Sequence, residues 1–524
     1  YAVNLGQFAL GLTNHGNVCG IVDHYFSCKA EGIKPLLGAE VYFQPVFEHS
    51  RSRAHLVIIA KNFLGYRNLM RLVSVANKEK FYQVPIVDWE LLERFADGLI
   101  VLSGCTTGYL PKLILANDSS IEAEVEHFKS VFHDDFYLEV QPLAFAEQVI
   151  VNEALMSLAE KFSIKIVLTL DSHFVSESDY STFTMMQKIS KKEFTADYSR
   201  RFMMSEREVL ACWMMISSVD PQKFIDETAE LANKCDDIDL TFAPAVPKLT
   251  LEQSSPQELF AIAKLGLEKK GLLCDDYKAR LLYELEIVFD LQLEDYFLFC
   301  YDIVSFAIRS NIRLGFGRGS VCGSLLAFVL DITNVDPVVL GTDFERFLRP
   351  GKAIIPDIDI DFDAKRRPEV MKYILQKYEG KALPITAFGY WRARNLVNAL
   401  CKVYEVTQEH KQEIKSILSS DDSDFNNYDL RHLLRNFRVR KLNSSYRDFF
   451  AHALSLHGQI SYVGRHAAGI AISSSDITDC VAAFRIRDNL QTSYDLVSLS
   501  KVNVLKLDIL GIDAVSVISE VETL

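Results

Sequence analysis

The stretch IIPDIDIDFD, residues 354–363, places aspartates at alternate positions: Asp357, Asp359, Asp361 and Asp363. In a β-strand, residues i and i+2 point to one face. Four carboxylates would then line one face while Ile358, Ile360 and Phe362 bury the other. Like charges that close repel, and Asp is disfavoured in strands. A wet acidic face is one reading of the run, and a divalent cation is the other. Mg²⁺ takes hard oxygen ligands, commonly one or two carboxylates plus substrate phosphates. Two such ions ~3.5–4 Å apart clamp the attacking and leaving oxygens of phosphoryl transfer. A partner lies in VNVLKLDIL, residues 502–510, where Lys506 and Asp508 share one face and Leu505, Leu507 and Ile509 the other. A lone Asp in an apolar strand is costly to bury, and a metal site would compensate it.

Upstream, LGFGRGSVCGSLLAFVLDIT (314–333) carries Gly315, Gly317 and Gly319, which permit backbone conformations that other residues resist. Ser320 is expected to open the apolar helical run SLLAFVL. A glycine turn feeding a helix N-terminus presents N–H groups to an anion, and Arg318 adds a fixed positive charge. The alternative is a tight turn with a capped helix. Beside the carboxylate strand the pair is informative: one element would hold phosphates, the other the metals that bridge them.

These groups must be positioned by a chain of 524 residues, enough for about three domains at ~150 residues each. With 49% hydrophobic and 24% charged residues, the composition is that of an ordinary soluble protein. No 18-residue apolar span and no signal-peptide pattern stands out. The ten cysteines form no CxxC pair, which suits a reducing cytoplasm. The net charge of −14 argues mildly against nucleic acid as partner, but a basic groove can lie on an acidic body. Up to about residue 225, the runs LVIIAK (56–61), GLIVLSG (98–104) and IKIVLTL (164–170) alternate with helical patterns such as 121–133, which argues α/β. Residues 225–310 read as helical. Strands and turns return over 311–388, and 390–460 is helical and locally basic. AAGIAIS (467–473) and VNVLKLDIL close the chain as strands, and SSDDSD (419–424) reads as a loop. A first residue Tyr and an ending in mid-helix suggest a fragment.

GFGRGSVCGSLLAFVLDITNVDP, FERFLRP, PDIDIDF, RHAAGIAI and VLKLDILG occur in an order that resembles the C-family DNA polymerases, the α subunits of bacterial replicative DNA polymerase III. The resemblance runs over essentially the whole chain. It implies an α/β and α+β multidomain protein. An N-terminal PHP (polymerase and histidinol phosphatase) distorted βα barrel, without its first strand, would cover 1–225. A nucleotidyltransferase palm like that of DNA polymerase β would cover 226–388 and 466–524, and a helical thumb 389–465. By match of motif, Asp357, Asp359 and Asp508 correspond to the catalytic aspartates that hold two Mg²⁺. Gly317, Arg318, Gly319 and Ser320 match the turn near the incoming triphosphate, and Lys506 a basic residue beside the third aspartate. Asp361 is a lesser candidate, and Asp363 has no assigned role. Phe316 and Asn398 depart from the usual pattern.

The first 225 residues resemble the PHP domain. Its motifs carry over to His15, Glu40, His55, Cys105, Asp171 and His173, a set suited to Zn²⁺ or Mn²⁺. Asn14 stands where the family's active-type motif has Asp. In RHLLRNFRVRK (431–441), Arg431, Arg435 and Arg438 fall on one helix face. That face is either simply solvated or a surface tracking DNA phosphates. The implied partners are primer–template DNA and dNTPs. Through regions beyond residue 524 they extend to the sliding clamp and other replicase subunits, and on the PHP domain to a proofreading exonuclease. The expected activity is template-directed DNA polymerisation in the cytoplasm, with no membrane. A PHP-type phosphoesterase or 3′–5′ exonuclease, and a catalytically silent scaffold, are the alternatives.

Overall fold

The computed structural model describes residues 1–191, 198–243, 245–249, 251, 253–350, 356–419, 446 and 448–523. Arg431, Arg435, Arg438 and residues 420–424 of the SSDDSD run lie outside them, while Ser419 ends the helix Gln408–Ser419.

The N-terminal apolar runs form strands β1 (Ala9–His15), β2 (Lys34–Phe43), β3 (Ala54–Ala60), β4 (Phe81–Tyr82), β5 (Val84–Val87), β6 (Leu99–Leu102), β7 (Phe136–Val140) and β8 (Ile166–Leu168). They make one eight-stranded mixed sheet in the order β4-β5-β2-β3-β6-β7-β8, with β1 parallel to β2 on the same edge as β5. Helix α1 (Phe63–Glu79) buries Tyr66, Leu69, Met70, Leu72 and Val73 in this body's core. Helix α2 (Gln222–Lys234) packs on β8: Glu227 accepts the Ile166 N–H (2.6 Å) and Thr228 the Leu168 N–H (2.9 Å). The boundary expected at 225 therefore falls inside a helix that belongs to the N-terminal body.

Helices α3 (Asp275–Asp290), α4 (Glu294–Arg309) and α5 (Leu325–Val329) lead into a second sheet. Its strands are β9 (Asp359–Asp363), β10 (Ala382–Tyr390), β11 (Ile460–Ile472) and β14 (Leu505–Ile512), in the order β10-β11-β14-β9. Helix α6 (Arg367–Lys377) follows β9, a two-stranded hairpin of β12 (Ala483–Ile486) and β13 (Asn489–Thr492) precedes β14, and α7 (Asp513–Thr523) follows it. Period-2 alternation decides which side is dry. Ile358, Ile360, Phe362, Leu507, Ile509, Ile470 and Ile472 enter one core with α4 (Phe297, Phe299, Ile303) and α6 (Val370, Ile374). β11 is a shared wall, because Ala471 between those two isoleucines faces the N-terminal core with Ile385, Tyr494 and Val502. Between β10 and β11, helices Ala393–Val403 and Phe449–Leu456 bury Leu396, Val397, Phe449 and Phe450 in a third core, which Met185 of the N-terminal helix Tyr180–Ile189 joins.

The carboxylate stretch is shorter as a strand than its alternation suggests. Regular pairing begins at Asp359, and Asp357 lies just before it. The expectation for Ser320 is corrected. Ser320 opens a short 3₁₀ turn (Ser320–Gly323), and Ser324 caps the apolar helix by accepting the Ala327 N–H (3.1 Å). Serine suits that capping position because its hydroxyl satisfies an orphan N–H.

Candidate metal centres

Parallel pairing of β9 with β14 sets Asp359 directly beside Asp508. With Asp357, these two offer carboxylate oxygens that all lie within 4.8 Å of one another. Lys506 donates to Asp508 Oδ2 (2.6 Å) and lies 3.4 Å from Asp357, so the face that β14 shows to solvent carries both the acid and its counter-charge. The other oxygen, Asp508 Oδ1, is buried without a hydrogen-bond partner. Burial, together with the charges of Asp357 and Asp508, pushes the Asp359 carboxyl up against the pull of Lys506 and Arg318. A cluster of three acids with one ammonium leaves negative charge uncompensated, and that orphaned oxygen fits a divalent cation.

The glycine turn lies against the same strand. Leu314 bridges to Phe362, and the Gly315 N–H donates to the Asp361 carbonyl (2.9 Å). A Cβ on Gly315 would come within 2.6 Å of Asp361 Cβ, so this glycine is required for close approach. Gly317 and Gly319 have φ of 130° and 67°, the region that favours glycine. Arg318 is exposed and 3.7 Å from Asp361 Oδ1. Ser320 is exposed on the turn.

The N–H groups of α5 are not free for an incoming anion, because the chain's own Glu284 takes them. Leu325 and Leu326 N–H both donate to Glu284 (2.9 Å each), as does the Ser324 hydroxyl (2.9 Å). Glu284 lies fully buried on α3, held by Arg280 (2.7 Å). Sequence reading missed it, because one Glu in LLYELEIV carries no mark of what it caps. Asp363 also has a partner. Its carboxylate, 5% exposed, accepts from Ser516 on α7 and from the Lys365 N–H (2.9 Å). It fastens α7 to the end of β9 and takes no part in the cluster.

In the N-terminal body, His15 ends β1, Glu40 lies opposite it on β2, and His55 begins β3. His15 Nε2 is 3.0 Å and His55 Nδ1 2.8 Å from the Glu40 carboxylate, and the three offer ligand atoms within 4.8 Å of one another. Burial pushes Glu40 up, but hydrogen bonds from the two histidines outweigh it and hold the carboxyl at about 2. Two imidazoles and an ionised carboxylate suit Zn²⁺. Cys105 stands next to them, 3.9 Å from Glu40 and 3.0 Å from Thr107, its thiol pushed up by burial and by Glu40. The His173 ring lies 6.4 Å from that of His15. Asp171 is engaged elsewhere, in an ion pair with buried Arg201. Arg201, and the buried Glu139 near it, were not picked out from the sequence.

Among known proteins, two family models match: the PHP domain over residues 1–142 and the bacterial DNA polymerase III alpha NTPase domain over 251–511. Proteins named DNA polymerase III subunit alpha align over 98% of this chain. The one from Borreliella burgdorferi is 32% identical over 46% of its own length. Those from Aquifex aeolicus and Thermus aquaticus are each 29% identical, over 49% and 48% of their lengths. The chain spans about half the length of the curated relatives it matches. An N-terminal PHP domain joined to a polymerase-type α+β body defines the class. The chain belongs to the family of bacterial DNA polymerase III α subunits.

Proposed function

We propose that this chain carries the nucleotidyl-transfer centre of a template-directed DNA polymerase acting in bacterial chromosome replication. The observation that supports this most is the juxtaposition of Asp357, Asp359 and Asp508 beside a glycine turn, across two strands that meet only through the fold. In this reading residues 226–388 and 466–524 are the palm, 389–465 the thumb and 1–225 the PHP domain.

Mg²⁺ held by the three aspartates would supply charge for the attacking primer 3′-OH and the departing pyrophosphate. The chain's own groups do the rest. Lys506 stays charged, because Asp508 and Asp357 hold its ammonium up against the downward pull of burial. It offsets part of the repulsion between Asp508 and Asp357 and adds positive charge where the reacting phosphate would arrive. Arg318 and Ser320, on the exposed turn, face the side from which a triphosphate would approach. Gly317 and Gly319 let the backbone come close to it. Asp361 stands behind Arg318 and orients it.

Primer–template DNA and dNTPs are the substrates of this reading. Arg431, Arg435 and Arg438 are proposed to grip the duplex backbone. The clamp, other replicase subunits and an exonuclease on the PHP domain are its proposed partners, and the cytoplasm its compartment. No described helix is long and apolar enough to cross a membrane. In the longer protein, Asp357→Asn should abolish primer extension while His173→Ala leaves it intact.

The His15–Glu40–His55 cluster favours a second reading, a Zn²⁺- or Mn²⁺-dependent phosphoesterase or 3′–5′ exonuclease. That reading predicts the reverse pattern in single-strand 3′ degradation. Absence of both activities from the parent protein, with folding retained, would leave only a scaffold.

A further inference from the structure

Six protein ligands exceed the four that a tetrahedral Zn²⁺ takes. The set His15, Glu40, His55, Cys105, Asp171 and His173 would therefore hold more than one ion. Its two halves differ in this chain. His15, Glu40 and His55 converge. On the other side, Asp171 Oδ2 is paired with the guanidinium of Arg201, which is 5% exposed and lies 4.9 Å over the ring of Tyr198. The backbone fixes Arg201 there. Its carbonyl accepts the His173 N–H (2.8 Å), the Met203 N–H donates to Val175 (3.2 Å), and Phe174 bridges to Phe202. Glu40, Glu139 and Cys105 lie near enough to act on the same guanidinium through their charge or dipole. Glu139 is 3% exposed, and its Oε2 has no hydrogen-bond partner.

A guanidinium is always charged and more weakly hydrated than an ammonium, so it tolerates burial among acids. Placed against Asp171, it neutralises the charge that a cation would otherwise meet, and it repels a second positive ion at short range. His173 Nδ1 is taken up by the Asp171 carbonyl (2.8 Å) and its Nε2 stays available, so the ligand that Arg201 occupies is the Asp171 carboxylate.

We infer that Arg201 is the built-in cation of the Asp171 side, so that this chain holds one divalent ion, on His15, Glu40 and His55, where the six-ligand set would hold more. A two-ion clamp is then closed to this site while Arg201 stays in place.

The test counts ions. The 524-residue chain carrying Asp357→Asn and Asp508→Asn, which silence the other cluster, is dialysed against Zn²⁺ and the bound ion measured by atomic emission. One ion per chain is expected, none when His55→Ala is added, and two when Arg201→Met is added. Removing one member of a buried pair is destabilising, so circular dichroism checks the fold. If Arg201→Met does not fold, Arg201→Gln, which keeps a hydrogen bond to Asp171 without the charge, is counted with the same expectation. Any count other than one in the Asp357→Asn/Asp508→Asn chain, an ion retained when His55→Ala is added, or an unchanged count once the Arg201 charge is removed, overturns the inference.

Discussion

The four alternating aspartates divide into three kinds of residue. Asp357 and Asp359 join Asp508 in the open cluster, Asp361 answers Arg318, and Asp363 is a structural tie to α7. Burial pushes the Asp363 carboxyl up, but the Ser516 hydroxyl and the N–H groups of Lys365 and Arg366 outweigh it and hold it below the usual carboxylate range. A depressed acid stabilises the fold at neutral pH, and that contribution is lost as pH falls through the depressed value. Asp363→Ala should therefore cost about 1–3 kcal/mol at neutral pH, the price of leaving buried donors unsatisfied. The gap to the parent should close as the solution is acidified through the carboxylate range. Urea midpoints at several pH values check this, and a gap that is constant with pH would remove the carboxylate's charge from the explanation.

Among elements, what the sequence showed well was periodicity. Ile358, Ile360 and Phe362 announce a one-sided strand, and Leu505, Leu507 and Ile509 a second. Their mutual pairing, and the glycine turn laid against β9, follow from that pattern once the fold brings them together. Contacts between distant positions left no periodic trace. Glu284 caps α5 across a gap in the chain, Arg201 claims Asp171, and Ser324 does the capping expected of Ser320. Each is a single polar residue whose neighbour in space is remote in sequence. The α5 cap carries a prediction. Glu284→Ala would strand two N–H groups and one hydroxyl in a dry interior, while Arg280 keeps the Gly323 carbonyl (2.9 Å), at a cost of about 3 kcal/mol. Equilibrium unfolding should show that loss, and Mg²⁺ binding should weaken with it, because α5 and the glycine turn are continuous. Unchanged stability would mean that water replaces the carboxylate.

At the scale of the whole molecule, the contacts between the N-terminal body and the second sheet predict that the two unfold together. The α1 face that leaves the first sheet meets the β12–β13 hairpin. Ser74 Oγ accepts the Ala483 N–H (2.8 Å), Asn77 the Arg485 N–H (3.0 Å), and Tyr66 donates to the Cys480 carbonyl (2.7 Å). Asp479 takes both Arg67 (2.7 Å) and Arg71 (2.6 Å). Charge-assisted bonds of this kind are the strong ones. Asp479→Ala should lower the melting temperature by a few degrees in a single calorimetric transition. A melt that splits in two, with only one half displaced, would show that the bodies unfold independently. The parallel pairing of β9 with β14 has a consequence for the growing polypeptide. Asp359 leaves the ribosome long before Asp508, and at ~5–20 residues per second the delay is on the order of ten seconds. Throughout that interval β9 has an empty edge where β14 will insert. The nascent chain then carries two of the three acids and lacks the lysine that balances them. A half-made chain thus lacks this ion-binding corner, which is set only when β14 slots in beside β9.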